Sequence, residues 1–117
     1  MLLAYTDAAY ASQCGRYFRR LGWEVQMVAG GADARHLAYT WHPDVVVLET
    51  ALVDQSGWLT SAKSSLDNPA LRIILVADEF TIDTRQRLTM VGADQSVSRV
   101  DGAEALAEVV LNTAVYA

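Results

Sequence analysis

The chain has 117 residues, 52% hydrophobic and 20% charged, with a formal net charge of −5 and one cysteine. A chain of that length fits one domain, residues 1–117, burying about two-thirds of its unfolded surface without help from disulfides or metal. The acidic balance and the short Arg19-Arg20 cluster argue against nucleic acid as a partner, no apolar run approaches the ~20 residues of a membrane span, and Cys14 alone fits a reducing, cytoplasmic compartment.

Residues 1–5 form the first apolar run and predict a strand. Tyr10, Cys14, Tyr17, Phe18 and Leu21 follow at i, i+4, i+7, i+8 and i+11, one face of a helix that Gly22 is placed to end. A weaker run at 24–28 predicts the second strand. Gly30-Gly31 then turns the chain into a helix with Ala34, Leu37, Ala38 and Trp41 on one face, stopped by His42-Pro43. The run at 44–48 is continuous rather than alternating, as in a strand buried on both faces. Ser56 or Asp54 is placed to cap a third helix with Leu59, Ala62 and Leu66 inward, closed by Asp67-Asn68-Pro69. A second continuous run at 72–77 leads to a fourth helix with Thr81 as cap, Ile82, Leu88 and Val91 inward, and Gly92 at its end. After a strand at 95–98, Asp101-x-x-Glu104 has the form of a capping box opening a fifth helix, with Leu106, Val109 and Val110 inward. Five strands alternating with five helices predict a doubly wound α/β fold with a parallel sheet.

In such sheets functional groups gather beyond the carboxyl ends of the strands. The residues at those positions are Thr6 and Asp7, Glu49 and Thr50, Ala77 and Asp78, and Arg99. Asp7 also suits the N-cap of the first helix. Glu49 ends an apolar run, and a buried carboxylate costs several kcal/mol unless it is paired. Arg99 is the cation best placed to pair with it. Asp78-Glu79 reads as a solvated loop.

The segment His42-Pro43-Asp44-Val45-Val46-Val47-Leu48-Glu49, with Gly57 eight residues after Glu49, resembles the corresponding stretch of response-regulator receiver domains of two-component signalling. Gly22 and Gly92-Ala93-Asp94 match two further landmarks. The resemblance covers the whole chain and implies a flavodoxin-like (CheY-like) (βα)5 fold with strand order 2-1-3-4-5. It implies a Mg²⁺-binding acidic pair at Tyr5-Thr6, with Asp7 as its vestige, a phosphoacceptor at Glu49, a switch hydroxyl at Ala77, an invariant Lys at Arg99 followed by Val100 in place of Pro, and an aromatic toggle at Ser96. Nearly every one of these positions departs from the family pattern, so the resemblance is to a degenerate, pseudo-receiver variant. Glu is one methylene longer than Asp, and Arg presents a planar fork rather than a point charge. The expectation is a permanent Glu49–Arg99 ion pair, loss of Mg²⁺ binding and no enzymatic activity.

The expected role is a phosphorylation-independent signalling module acting through protein contacts, with a histidine kinase or a separate output protein as partner. Output through a separate protein follows if the chain ends at Ala117; otherwise the chain is part of a longer protein. The face of the fourth helix, fifth strand and fifth helix, carrying Arg85, Arg87, Arg99, Glu104 and Glu108, is the family's usual output surface and would suit a homodimer. Trp58, beside the Glu49 pocket, is a candidate anchor for a partner. Two alternatives stand beside this reading: a residually active Mg²⁺-dependent phosphoacceptor, and a small-ligand-binding flavodoxin-like domain. Cys14 reads as a core residue, Trp23 and Trp41 as packing residues, and His36 and His42 as surface residues without metal-ligand spacing.

Overall fold

Strands and helices alternate in the computed structural model, which describes residues 1–78 and 82–115, the side chains of 82–85 and 113–115 excepted. The order is β1 (Leu2–Ala4), α1 (Ala8–Arg20), β2 (Gln26–Val28), α2 (Gly31–Trp41), β3 (Val45–Glu49), α3 (Gly57–Asp67), β4 (Arg72–Ala77), α4 (Ile82–Met90), β5 (Gln95–Ser98) and α5 (Gly102–Val115). The five strands form one parallel sheet in the order β2-β1-β3-β4-β5. The fold is the expected doubly wound one.

The continuous apolar runs work as strands with both faces covered. Leu3, Val45, Val47, Ile74 and Val76 face α1 and α5, where Tyr10, Phe18, Leu106 and Val110 pack on them. Leu2, Ala4, Val46, Leu48, Ile73 and Leu75 face the other way, against Ala34 and Trp41 of α2, Trp58 of α3 and Leu88 of α4. Period two therefore survives in the direction of each side chain even where the run is uniformly apolar. Cys14 lies in the first of these cores, and burial pushes its thiol up to about 11, so it stays protonated at neutral pH.

The helix ends follow from local chemistry. Asp7 caps α1 by accepting from the N–H groups of Ala9 and Tyr10, and Ser56 caps α3 by accepting from Leu59. Gly22 and Gly92 take positive φ just past α1 and α4, where a side chain is strained. His42 ends α2 in the left-handed region, at φ 53.

Three expectations fail in placement. Leu21 is the C-cap of α1 and exposed, while Ala11 and Gly15 complete the buried stripe. In α3 the buried face is Thr60, Ser61 and Ser64, and Leu59 and Leu66 are 45% and 84% exposed. The reason is close approach. A methyl added at Gly31 would overlap the Thr60 hydroxyl, one at Gly92 the Ser65 hydroxyl, and Ser61 donates to the Val91 carbonyl at 2.8 Å. Small hydroxyl residues fit that interface and leucines do not. Finally, Asp101 belongs to a 3-10 turn, Arg99–Asp101, and Gly102 at φ 79 separates it from Glu104, so no capping box forms. Thr81 and the Ile82 side chain lie outside the described residues.

Candidate functional site

The strand order places the topological switch between β1 and β3, from which the chain winds outward in both directions. At the carboxyl ends of β3, β4 and β5, Glu49 pairs with Val76 in register, and Ala77 with Ser98. The residue after β4, Asp78, and the residue after β5, Arg99, thus emerge side by side next to Glu49.

Arg99 joins three carboxylates. Its Nη1 lies 3.3 Å from Asp7 Oδ2 and 3.4 Å from Glu49 Oε1, and its Nη2 lies 2.6 Å from Asp78 Oδ1. Asp7 and Glu49 divide their oxygens in the same way. Asp7 gives Oδ1 to the first turn of α1 and Oδ2 to the guanidinium. Glu49 gives Oε2 to the backbone N–H groups of Thr6 and Asp7, the second at 2.9 Å, and Oε1 to the guanidinium. Capping and ion pairing at Asp7 are therefore one arrangement. Glu49 is buried to within 5% of its surface, and each of its oxygens has a donor, as a charge in an apolar setting requires. The Thr6 hydroxyl donates to the Ala51 carbonyl and ties the β1–α1 turn to the β3–α3 loop.

A further carboxylate, on the β3–α3 loop, takes no part in this cluster. Asp54 Oδ1 and Oδ2 accept from the N–H groups of Gly31 and Ala32 at 2.7 and 2.9 Å. Those two donors hold the Asp54 carboxyl down to about 2. Asp54 caps α2 across 23 residues, rather than α3.

Thr6, Asp7, Glu49 and Arg99, singled out in the sequence, come together. Ala77 is buried at the end of β4, where it offers no hydroxyl. The other positions are separate from the cluster's contacts. Ser96 is partly buried in β5, Glu104 is exposed on α5, and the Arg85 side chain lies outside the described residues. Arg99 leaves the output face assigned to it and turns into the site. Trp58 is half-buried against the second core, with the Arg87 guanidinium 5.6 Å from its ring, so it is packed rather than freely presented. Asp78 was missed. Its signal was its position directly after a strand end, one step from Arg99 in register; its 65% exposed side chain makes the shortest contact to the guanidinium.

This five-stranded order, with its polar cluster at the β1/β3 switch, invites comparison with known proteins. A CheY-like response-regulator receiver domain from Methanospirillum hungatei superposes with a TM-score of 0.88 at 17% identity, over 96% of this chain and 90% of that one. The chain has the receiver-domain fold. A response regulator from Burkholderia pseudomallei, solved with a phosphorylated aspartic acid, a calcium ion and citrate, matches with a TM-score of 0.81 at 20% identity, over 98% of this chain and 72% of that one. In sequence, the chain is 29% identical over 99 residues to a Mycobacterium tuberculosis protein described as a probable transcriptional regulatory protein, TcrX. The match takes in 85% of this chain and 42% of TcrX, so the chain spans less than half that relative's length. No family model matches. Among the described residues no helix is long and apolar enough to cross a membrane. Within the receiver fold, the Arg99 cluster occupies the carboxyl-end crevice where functional groups of doubly wound sheets gather.

Proposed function

We propose that this receiver-fold domain is a signalling module that acts through protein contacts and does not accept a phosphoryl group. The observation that carries the reading is the Arg99 guanidinium set among Asp7, Glu49 and Asp78. A magnesium ion needs near-octahedral oxygen ligands, one or two of them carboxylates. Here the inner carboxylate oxygens are already held, by Arg99 on one side and by the N–H groups of Thr6, Asp7, Ala9 and Tyr10 on the other. These residues do not fit the ion, because a cation placed among them would meet a guanidinium. Phosphoryl transfer depends on positioning and on charge neutralisation at the attacking oxygen. Glu49 has its carboxylate tied at both oxygens, and Ala77 has no hydroxyl to follow a bound phosphoryl group. Arg99 thus supplies as a tethered side chain the positive charge that a working receiver takes from a metal and a lysine, and the domain rests in one state.

The partners that fit are a histidine kinase or a separate output protein of the same pathway, with a second copy of the chain as the alternative. The regulatory name of the sequence relative supports this placement. A Mg²⁺ and beryllofluoride titration followed by backbone amide NMR tests the reading. The expected result is no saturable shift at Asp7, Glu49, Asp78 or Arg99 at millimolar ligand. Saturable shifts clustered there would overturn it in favour of a residually active phosphoacceptor.

A further inference from the structure

The fold leaves α3 with its two sides reversed. Leu59, Ala62 and Leu66 fall at i, i+3 and i+7 and form one stripe, opposite the buried Thr60, Ser61 and Ser64. A single exposed leucine is ordinary on a protein surface, but this helix buries its hydroxyls and turns its aliphatic side to solvent. The end of α4 lies against the same helix, where Ser61 donates to the Val91 carbonyl and Gly92 sits against the Ser65 side chain. The last residue of α4, Met90, is 81% exposed. Leu59, Ala62, Leu66 and Met90 belong to neither core.

Charge says what complements the stripe. Among the described residues, Lys63 flanks it on α3 itself, at i+4 from Leu59 and i−3 from Leu66. The Arg35–Asp67 pair, with bonds of 2.7 and 2.9 Å, joins α2 to the end of α3. The Arg87 guanidinium lies 5.6 Å from the ring of Trp58, next to Leu59 in the chain. Arg35, Lys63 and Arg87 thus stand near the stripe with Asp67 as the one carboxylate, on a chain whose net charge is −5. A second copy bound through a two-fold axis would set the same cations facing each other. A helix with an apolar stripe between acidic flanks complements both the leucines and the cations.

We propose that the outer face of α3 docks a partner helix that carries an apolar stripe between acidic residues. The inference rests on the reading that the domain acts through protein contacts, and it names the surface. The probes are two synthetic helical peptides with leucine at i, i+3 and i+7, one flanked by glutamate and the other by lysine. Titrated into the protein at low salt and followed by amide NMR, the glutamate peptide is expected to give saturable shifts at Leu59, Ala62, Lys63, Leu66 and Met90. It should bind about tenfold tighter than the lysine peptide. The net charge acting alone would give the reverse order, because it repels glutamate and attracts lysine. Leu66→Glu changes an exposed position that the fold does not use, and should weaken the glutamate peptide about tenfold or more. Lys63→Glu should cut the preference for glutamate over lysine about fivefold.

No saturable shift at millimolar peptide, shifts centred elsewhere, or a lysine peptide that binds as tightly or more tightly would each overturn the proposal. A dimer in sedimentation that Leu66→Glu abolishes would overturn it in favour of a second copy. Retention on phosphatidylglycerol vesicles that the same substitution abolishes would overturn it in favour of a membrane surface. Failure here, with the Arg99 cluster silent to Mg²⁺ and beryllofluoride, strikes the α3 surface alone. Saturable shifts at that cluster strike the reading of the domain instead.

Discussion

Glu49 and Asp54 lie five residues apart, one at the inner end of β3 and the other on the loop that leaves it, and they meet the cost of a carboxylate in opposite ways. Glu49 is enclosed by an apolar strand and its neighbours, so its charge needs both backbone donors and a guanidinium. Asp54 is exposed, needs no cation, and is held by the two free N–H groups at the start of α2. The difference teaches what each region does. The inner carboxylate is bound into the chemistry of the crevice, whereas the outer one fastens α2 to the β3–α3 loop.

The largest expected effect comes from disturbing the backbone that carries Glu49. A methyl group at Gly57 would overlap the Glu49 carbonyl oxygen, and backbone cannot swing aside as a flexible side chain does. Gly57→Ala is expected to cost about 3 kcal/mol in chemical denaturation, as overpacking of a tight site does. Removing the inner cation comes next. Arg99→Met leaves Glu49 buried with backbone donors alone and should cost about 2 kcal/mol, less than a fully buried pair because Arg99 is one-third exposed. Glu49→Gln keeps an oxygen for the Thr6 and Asp7 N–H groups but turns an amide toward Arg99, so about 1 kcal/mol is expected, with the Arg99 side-chain resonances displaced. A variant with unchanged stability and unchanged Arg99 resonances would remove the inner pair from the account.

The outer carboxylate is separable by pH. Its folded value, about 2, lies below the ordinary 3.8, so its contribution is fully present above about pH 4 and is lost as pH falls through 2. Asp54→Asn should therefore lower the melting temperature at pH 6, and the gap to the parent should close near pH 2. A gap independent of pH would show that the charge on Asp54 is not what fastens the loop. The smallest effect tests the face of α3. Leu66→Glu should change stability by less than about 0.5 kcal/mol, because Leu66 is 84% exposed.

Much of this was legible in the residues. The runs at 45–48 and 73–76 are uniformly apolar, a pattern that suits a sheet covered on both faces, and glycine or proline follows four of the five helices. The inner pair was legible for a related reason: a carboxylate ending an apolar strand cannot stay unpaired, and Arg99 stood at the end of another strand. The position of Asp78 was legible but its role was not, because a polar residue in a loop looks the same whether or not a guanidinium lies beside it. Asp54 was misassigned because its partners are two N–H groups 22 and 23 residues away, and N–H groups carry no mark in a sequence.

Local chemistry thus determined the alternation of strands and helices, the caps at Asp7 and Ser56, the glycine ends and the need for a partner at Glu49, since each depends on neighbours within a turn or on burial of the residue itself. Tertiary structure alone decided which carboxylates share Arg99, which helix Asp54 caps and which face of α3 turns inward. Those outcomes depend on how closely separate elements approach. Hydrophobic periodicity places α3 with Leu59 and Leu66 inward, but the close approach of Thr60 to Gly31 and of Ser65 to Gly92, with the Ser61 bond to the Val91 carbonyl, turns the small hydroxyl face inward instead.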